Sequence, residues 1–280
     1  MTFATNVEQS FGGFAPPGFQ LFTLQTTNLR GRGDCIVYTP QALRRAELKG
    51  APTVVLLHGA CGSAWAWAFQ GGAHQVLERL IARENLPPMI LVMPSDGLRG
   101  GHIEREGNLE LGIATGYFPT VHWNTESWIM DDVIPTMREH VLGFDAESLL
   151  FLGGLSMGGY GSLRLGAKYA DQFTAISAHS SVCGLERALK VCGLTPDELT
   201  APLNEYVPLE LIKANQLKLP PLRFDCGSED HLFLENQQFH HALLEAQINH
   251  KFNINPGAHT WKYWGKHLAD SLRFFAEQLR

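Results

Sequence analysis

The chain carries a net charge of −6 but no run of Lys and Arg, so nothing in it suits the neutralisation of a phosphate backbone and no nucleic-acid partner is expected. No apolar stretch reaches the ~18 residues of a membrane span, because Pro, Gly or a charged residue interrupts every candidate. Residues 1–10 lack the basic start and apolar core of a signal peptide. The five cysteines, at positions 35, 61, 183, 192 and 226, are odd in number and scattered, unlike the even framework of a small secreted domain. Cys183 and Cys192 would be a pair in an oxidising compartment, but two reduced thiols are the expectation, as is a soluble, cytoplasmic protein with no membrane partner. Also missing are H-E-x-x-H, paired C-x-x-C and any tight His/Asp cluster along the chain, so its 12 histidines spell no metal site. His240 and His241 are consecutive on a helical stretch and point to different sides. The segment Gly153-Gly154-x-Ser-x-Gly lacks the Lys-Ser/Thr ending of a phosphate loop. No metal and no cofactor is expected.

What is present describes a globular protein, 45% hydrophobic and 18% charged, able to bury a sizeable core. Neither an internal repeat nor a low-complexity linker divides the 280 residues, which argues for a single domain over 1–280. Short apolar or β-branched runs at Cys35 to Tyr38, Thr53 to Leu57, Met89 to Met93, Leu149 to Leu152, Phe173 to Ala178, Leu222 to Asp225 and Lys251 to Ile254 suit buried strands. Helical patterns lie between them at about 73–85, 126–141, 157–170, 233–247 and 261–279. Alternation of this kind gives an α/β protein, a mostly parallel sheet with helices on both faces. The stretch at about 183–220, with a proline-led helix start at Thr195-Pro196-Asp197-Glu198, reads as a small cap insertion over the carboxyl edge of the sheet, where ligands bind. The beginning, with Phe11-Gly12-Gly13-Phe14 and Pro16-Pro17-Gly18, is loop-like.

The chemistry concentrates around position 156. Leu149 to Leu152 is followed by Gly153-Gly154-Leu155-Ser156-Met157-Gly158-Gly159 and then by a helical pattern. A strand turning sharply into a helix leaves a serine hydroxyl on a strained, exposed corner, and Gly154 and Gly158 let the two backbones approach. A G-x-S-x-G match alone carries little weight, but its context does. Serine needs a neighbouring base, and the base an orienting acid. After Leu222 to Asp225 comes Cys226-Gly227-Ser228-Glu229-Asp230-His231, and after Lys251 to Ile254 comes Asn255-Pro256-Gly257-Ala258-His259-Thr260-Trp261. Nucleophile, acid and histidine therefore follow in the order Ser156, Asp230, His259. Asp230 is preferred over Glu229 because it ends a Gly-x-x-Asp turn, and over Asp225 because Asp225 still belongs to the strand. His267 lies inside the last helix and is set aside.

A tetrahedral oxyanion needs donors. One is expected from the Met157 amide, directly after the nucleophile. The other is expected from Ala60, in the loop His58-Gly59-Ala60-Cys61-Gly62-Ser63 that follows Thr53 to Leu57. His58 is read as a support of this loop and Cys61 as a small buried thiol. Trp65, Trp67 and Tyr160 are candidates to line an acyl or leaving-group pocket, although core packing explains each equally well.

Together, Leu57-His58-Gly59, Met93-Pro94-Ser95-Asp96-Gly97, Gly154-Leu155-Ser156-Met157-Gly158-Gly159, Cys226-Gly227-Ser228-Glu229-Asp230 and Pro256-Gly257-Ala258-His259-Thr260-Trp261 resemble the esterase D family of α/β-hydrolases over roughly residues 35 to 279. That family also holds S-formylglutathione hydrolases, feruloyl and acetylxylan esterases, and mycolyltransferase antigens. The resemblance implies an α/β-hydrolase fold with Ser156 as nucleophile, Asp230 as acid, His259 as base, and Ala60 with Met157 as oxyanion donors. It leaves room for a homo-oligomer, since relatives often form dimers or tetramers. One departure concerns the substrate: where relatives often carry Gly-Asp-Gly-Ser after the Asp-Gly near position 97, this chain has Arg99-Gly100-Gly101-His102-Ile103-Glu104-Arg105, a loop expected to border the pocket. The expected activity is a serine carboxylesterase acting on small-molecule, short-chain esters. S-formylglutathione or carbohydrate acyl ester hydrolysis stands as the alternative, and a non-catalytic hydrolase-fold binding protein is more remote, because degenerate members usually lose a triad residue.

Overall fold

The computed structural model describes residues 4–10, 13–43, 49–97, 102–105, 108–111 and 114–279. Nine strands form one sheet in the order β1-β2-β3-β5-β4-β8-β9-β10-β11. They are β1 (Ala4–Gln9), β2 (Phe19–Thr26), β3 (Gly31–Tyr38), β4 (Thr53–Leu57), β5 (Ile90–Pro94), β8 (Leu150–Leu155), β9 (Ala175–His179), β10 (Leu222–Gly227) and β11 (Lys251–Asn255). β1, β2, β3 and β5 pair antiparallel, and all pairings from β5 through β11 are parallel. A separate hairpin pairs β6 (His102–Arg105) with β7 (Asn108–Leu111). The expected loop at 99–105 is thus partly strand, and Arg99, Gly100 and Gly101 lie outside the described residues.

The central strands read as unbroken apolar runs because both of their faces are covered. Val55, Leu57 and Leu152 point to one side, where they pack with Met157, Tyr160, Trp128 and Met137. Val54, Leu56, Phe151 and Leu155 point to the other and meet Leu77, Trp264 and Phe275. The second layer is built by α1 (Ala73–Glu84) and α8 (Trp261–Glu277). The first is built by α4 (Met157–Lys168) together with a helix that runs on from α2 (Thr125–Ser127) through a π-wound stretch, Trp128–Val133, into α3 (Ile134–His140). α7 (Phe233–Glu245) joins α4 over β9 and β10 through Phe239, Leu243, Ile176 and Phe224. Between β9 and β10 lie α5 (Leu185–Cys192) and α6 (Pro208–Ala214). The helix start at Thr195 is a single turn, Pro196–Glu198, closed by Glu198 accepting the Thr195 amide at 2.7 Å.

The loop-like reading of the N-terminal segment holds for residues 13–18, which form turns between β1 and β2, while Phe11 and Gly12 lie outside the described residues. The strands on either side were not expected, and two further expectations change. The alternating burial of Phe22, Leu24 and Thr26 in β2 is the period of a half-covered sheet. β11, expected to be buried, is an edge strand with Ile254 half exposed, and its polar Lys251, Asn253 and Asn255 suit that edge. Cys61 is exposed rather than buried, and no two cysteines are bridged. Among the described residues no helix is long and apolar enough to cross a membrane.

A polar cluster lies within the apolar layer beneath α8. On the α8 side of β9 and β10, Ser271 Oγ lies 2.7 Å from His179 Nε2, and His179 Nδ1 lies 2.9 Å from Asp225 Oδ2. Arg223 reaches the same carboxylate oxygen at 2.8 Å, and Tyr263 donates to Oδ1 at 2.8 Å. Ser271, His179 and Asp225 are all buried. Burial would raise the Asp225 carboxyl, but His179, Arg223 and Tyr263 outweigh it and hold it at about 2.

Candidate active site

Ser156 stands at the carboxyl end of β8, where the strand breaks into α4. Its backbone is in a positive-φ conformation, φ 54° and ψ −116°, which costs a non-glycine residue on the order of 1–3 kcal/mol. The surroundings fix it there: the Ser156 amide donates to His179 O at 2.9 Å, and its carbonyl accepts from Tyr160 N at 3.0 Å and Val182 N at 3.1 Å. A Cβ on Gly158 would lie 2.3 Å from Leu57 O, and one on Gly154 2.2 Å from Gly158 O, so the tight turn depends on both glycines.

Asp230 follows β10 and His259 follows β11. Because these strands are parallel neighbours, their loops leave the sheet side by side. The Ser228 amide donates to Asn255 O and the Glu229 amide to Gly257 O, each at 2.9 Å. The result is a continuous polar chain. Ser156 Oγ lies 3.0 Å from His259 Nε2, and His259 Nδ1 lies 3.0 Å from Asp230 Oδ1 and 2.9 Å from Oδ2. Asp230 Oδ1 also accepts the Leu232 amide at 2.8 Å. Burial would raise this carboxyl, but the hydrogen bonds from His259 and Leu232 prevail and keep it below its ordinary value. An ionised carboxylate on Nδ1 fixes the imidazole with its Nε2 lone pair toward the serine. Glu229 and Asp225, the rival acids, make no such contact. His267 pairs instead with Asp270 at 2.9 Å.

His58 organises the facing loop. Its Nε2 accepts the Asp96 amide at 3.0 Å, so Nδ1 carries the proton and donates to Gly59 O at 2.7 Å. Among the described residues the Ala60 and Met157 amides meet no acceptor, and Met157 opens α4, where the helix leaves its first N–H groups unpaired.

A cleft of about 540 Å³ opens at Ser156, bounded by Ala60, Cys61, Lys190, His259, Trp261 and Trp264 among others. Trp65, Trp67 and Tyr160 do not line it. Trp67 is buried in the core with its Nε1 donating to Leu57 O at 2.9 Å. Tyr160 is buried beneath α5, its hydroxyl donating to Tyr206 O, and Trp65 stands on the surface. The aromatic wall comes from Trp261 and Trp264, the latter edge-on to His259 at 4.7 Å between ring centroids. Their i, i+3 spacing directly after His259 was the available signal, since it puts both on one face of the first turn of α8. His231 was also passed over, yet its ring centroid lies 4.4 Å from that of His259.

The sheet order and the sharp turn after β8 define an α/β-hydrolase. Within that class the chain belongs to the Esterase family, whose model matches residues 27–275. An acetyl esterase from Caldicellulosiruptor saccharolyticus is 29% identical over 147 residues, 45% of this chain and 54% of that protein, so the chain spans about half the length of this relative. A ferulic acid esterase superposes with a TM-score of 0.76 at 24% identity over 98% of each chain. An S-formylglutathione hydrolase from Agrobacterium tumefaciens superposes with a TM-score of 0.77 at 18% identity, covering 99% of this chain and 100% of that one.

Proposed function

We propose that this protein is a serine carboxylesterase that hydrolyses short-chain acyl esters through an acyl-enzyme. The observation that carries the reading is the chain of contacts from Ser156 Oγ through His259 to Asp230, 3.0 Å and 2.9 Å long. His259 Nε2 takes the Ser156 proton as Oγ attacks the ester carbonyl, and Asp230 stabilises the imidazolium without taking that proton. The amides of Ala60 and Met157 receive the oxyanion. As the tetrahedral intermediate collapses, the imidazolium protonates the departing alcohol and leaves Ser156 acylated. A water deprotonated by His259 then attacks the acyl carbonyl, and Ser156 leaves with the proton returned to it. No cofactor enters any step.

The segment at about 183–220 acts in this reading as a small cap, with Lys190 and Val191 reaching the cleft. Free thiols throughout suit a reducing, cytoplasmic setting. p-Nitrophenyl acetate is the test substrate: wild type should give a burst and sustained turnover, and Ser156→Ala should lose both. Full turnover by Ser156→Ala refutes the assignment. A panel of S-formylglutathione, acetylated xylan and feruloyl esters then separates oxygen-ester from thioester and carbohydrate preferences.

A further inference from the structure

We propose that Asp230, His231 and His259 form a binding site for a late first-row divalent cation of the zinc type, and that its occupancy switches hydrolysis off. The inhibitory half rests on the role given to His259 above; the binding half does not. Along the chain the three residues look unrelated, an adjacent pair and one distant histidine. The parallel pairing of β10 with β11 brings them together, so that one donor atom from each lies within 4.8 Å of the others. Two imidazoles and a carboxylate are a donor set for zinc or copper and a poor one for magnesium or calcium.

Access is open, because the His231 side chain is 63% exposed and bounds both the Ser156 cleft and an adjoining cavity of about 440 Å³ that carries Arg187, Lys190 and Glu235.

The geometry needs little adjustment. A tetrahedral ion with bonds of about 2.0–2.1 Å holds its donors roughly 3.4 Å apart, so the widest separation must close by about 1.4 Å. His231 Nδ1 is already 3.7 Å from Asp230 Oδ1, and rotation of an exposed side chain supplies the remainder. Coordination through His259 Nε2 would occupy the lone pair that receives the Ser156 proton. Coordination through Nδ1 would break its hydrogen bond to Asp230 and shift that nitrogen's proton to Nε2, which then has no lone pair for the serine. Either way the base is lost, and a chelator restores it.

The test uses zinc chloride as the probe. Hydrolysis of p-nitrophenyl acetate by the wild type should fall with zinc, recover with EDTA, and be indifferent to magnesium. His231→Gln, read against its own zinc-free rate, should raise the half-inhibitory zinc concentration by about tenfold or more. Calorimetry on Ser156→Ala should show zinc binding that the Ser156→Ala/His231→Gln double variant weakens by a similar factor. Because that titration needs no turnover, it tests the metal site even where the esterase reading fails. Zinc inhibition equal in wild type and His231→Gln, or isotherms unchanged by His231→Gln, would overturn the proposal.

Discussion

Gly158→Ala is the sharpest test of how the elbow is built. The new methyl would meet Leu57 O at 2.3 Å, His58 O at 2.5 Å and Leu57 C at 2.6 Å. All three are backbone atoms of the strand end leading into the Ala60 loop, so no side chain can swing aside. Restoring an ordinary 3.4 Å contact requires α4 and β4 to part by about 1 Å. Alanine in place of glycine favours a helix by ~1 kcal/mol, so any net loss is steric; overpacking of this kind costs ~1–3 kcal/mol. The displacement also separates the Met157 amide and Ser156 Oγ from the Ala60 amide, and a 1 Å misplacement costs ~100-fold in rate, equivalent to about 2.7 kcal/mol of barrier. Urea unfolding and kcat/KM on p-nitrophenyl acetate measure the two effects separately. Gly13→Ala serves as control, because nothing lies within 4 Å of a Cβ there. A Gly158→Ala protein with wild-type stability and kcat/KM within about twofold would refute the close-approach argument.

Asp230→Asn should keep the fold and lower kcat by roughly 10⁴, because an amide on Nδ1 no longer enforces the working tautomer; a loss below tenfold would remove Asp230 from the mechanism. Asp225 is held at about 2 against an ordinary 3.8, so its ionisation contributes about 2 kcal/mol that is fully present above pH ~4 and lost as pH falls toward 2. The stability difference between wild type and Asp225→Asn should therefore shrink over that interval in urea titrations, and a constant difference would contradict it. Glu126→Gln strips the buried Arg164 of its counter-charge and should cost about 3–5 kcal/mol. Lys168→Met, at a partly exposed neighbour of the same carboxylate, should cost less than about 1 kcal/mol. Equal losses in the two would mean that burial does not govern this network.

The parallel half of the sheet and the polar chain at Ser156 were legible for one reason. In a doubly covered sheet each strand is a continuous apolar run, and the loop after it leads to the ligand edge, so linear order maps onto position. Ser156, Asp230 and His259 each follow such a run. Depth was not legible in the same way. Trp67 and Tyr160 follow a functional loop just as closely as Trp261 and Trp264 do, but Trp67 satisfies its indole on Leu57 O and Tyr160 its hydroxyl on Tyr206 O. Only the packing of α4 and α8 decides which ring faces the cleft. β2 was not legible because its two-residue period spans only Phe22, Leu24 and Thr26 and directly follows the turn residues Pro16-Pro17-Gly18. His231 was overlooked because its nearness to His259 exists only through the pairing of β10 with β11.

The cluster beneath α8 bears on how such sites are searched for. Ser271, His179 and Asp225 repeat the hydroxyl, imidazole and carboxylate sequence of the cleft, and a template built on those atoms alone would score this protein twice. What separates the twins is solvent, for no acyl group can travel to a seryl oxygen sealed between a helix and a sheet. In the proposed reading, reactivity is thus conferred by access and by a bent backbone, and the same three functional groups become mortar where both are withheld.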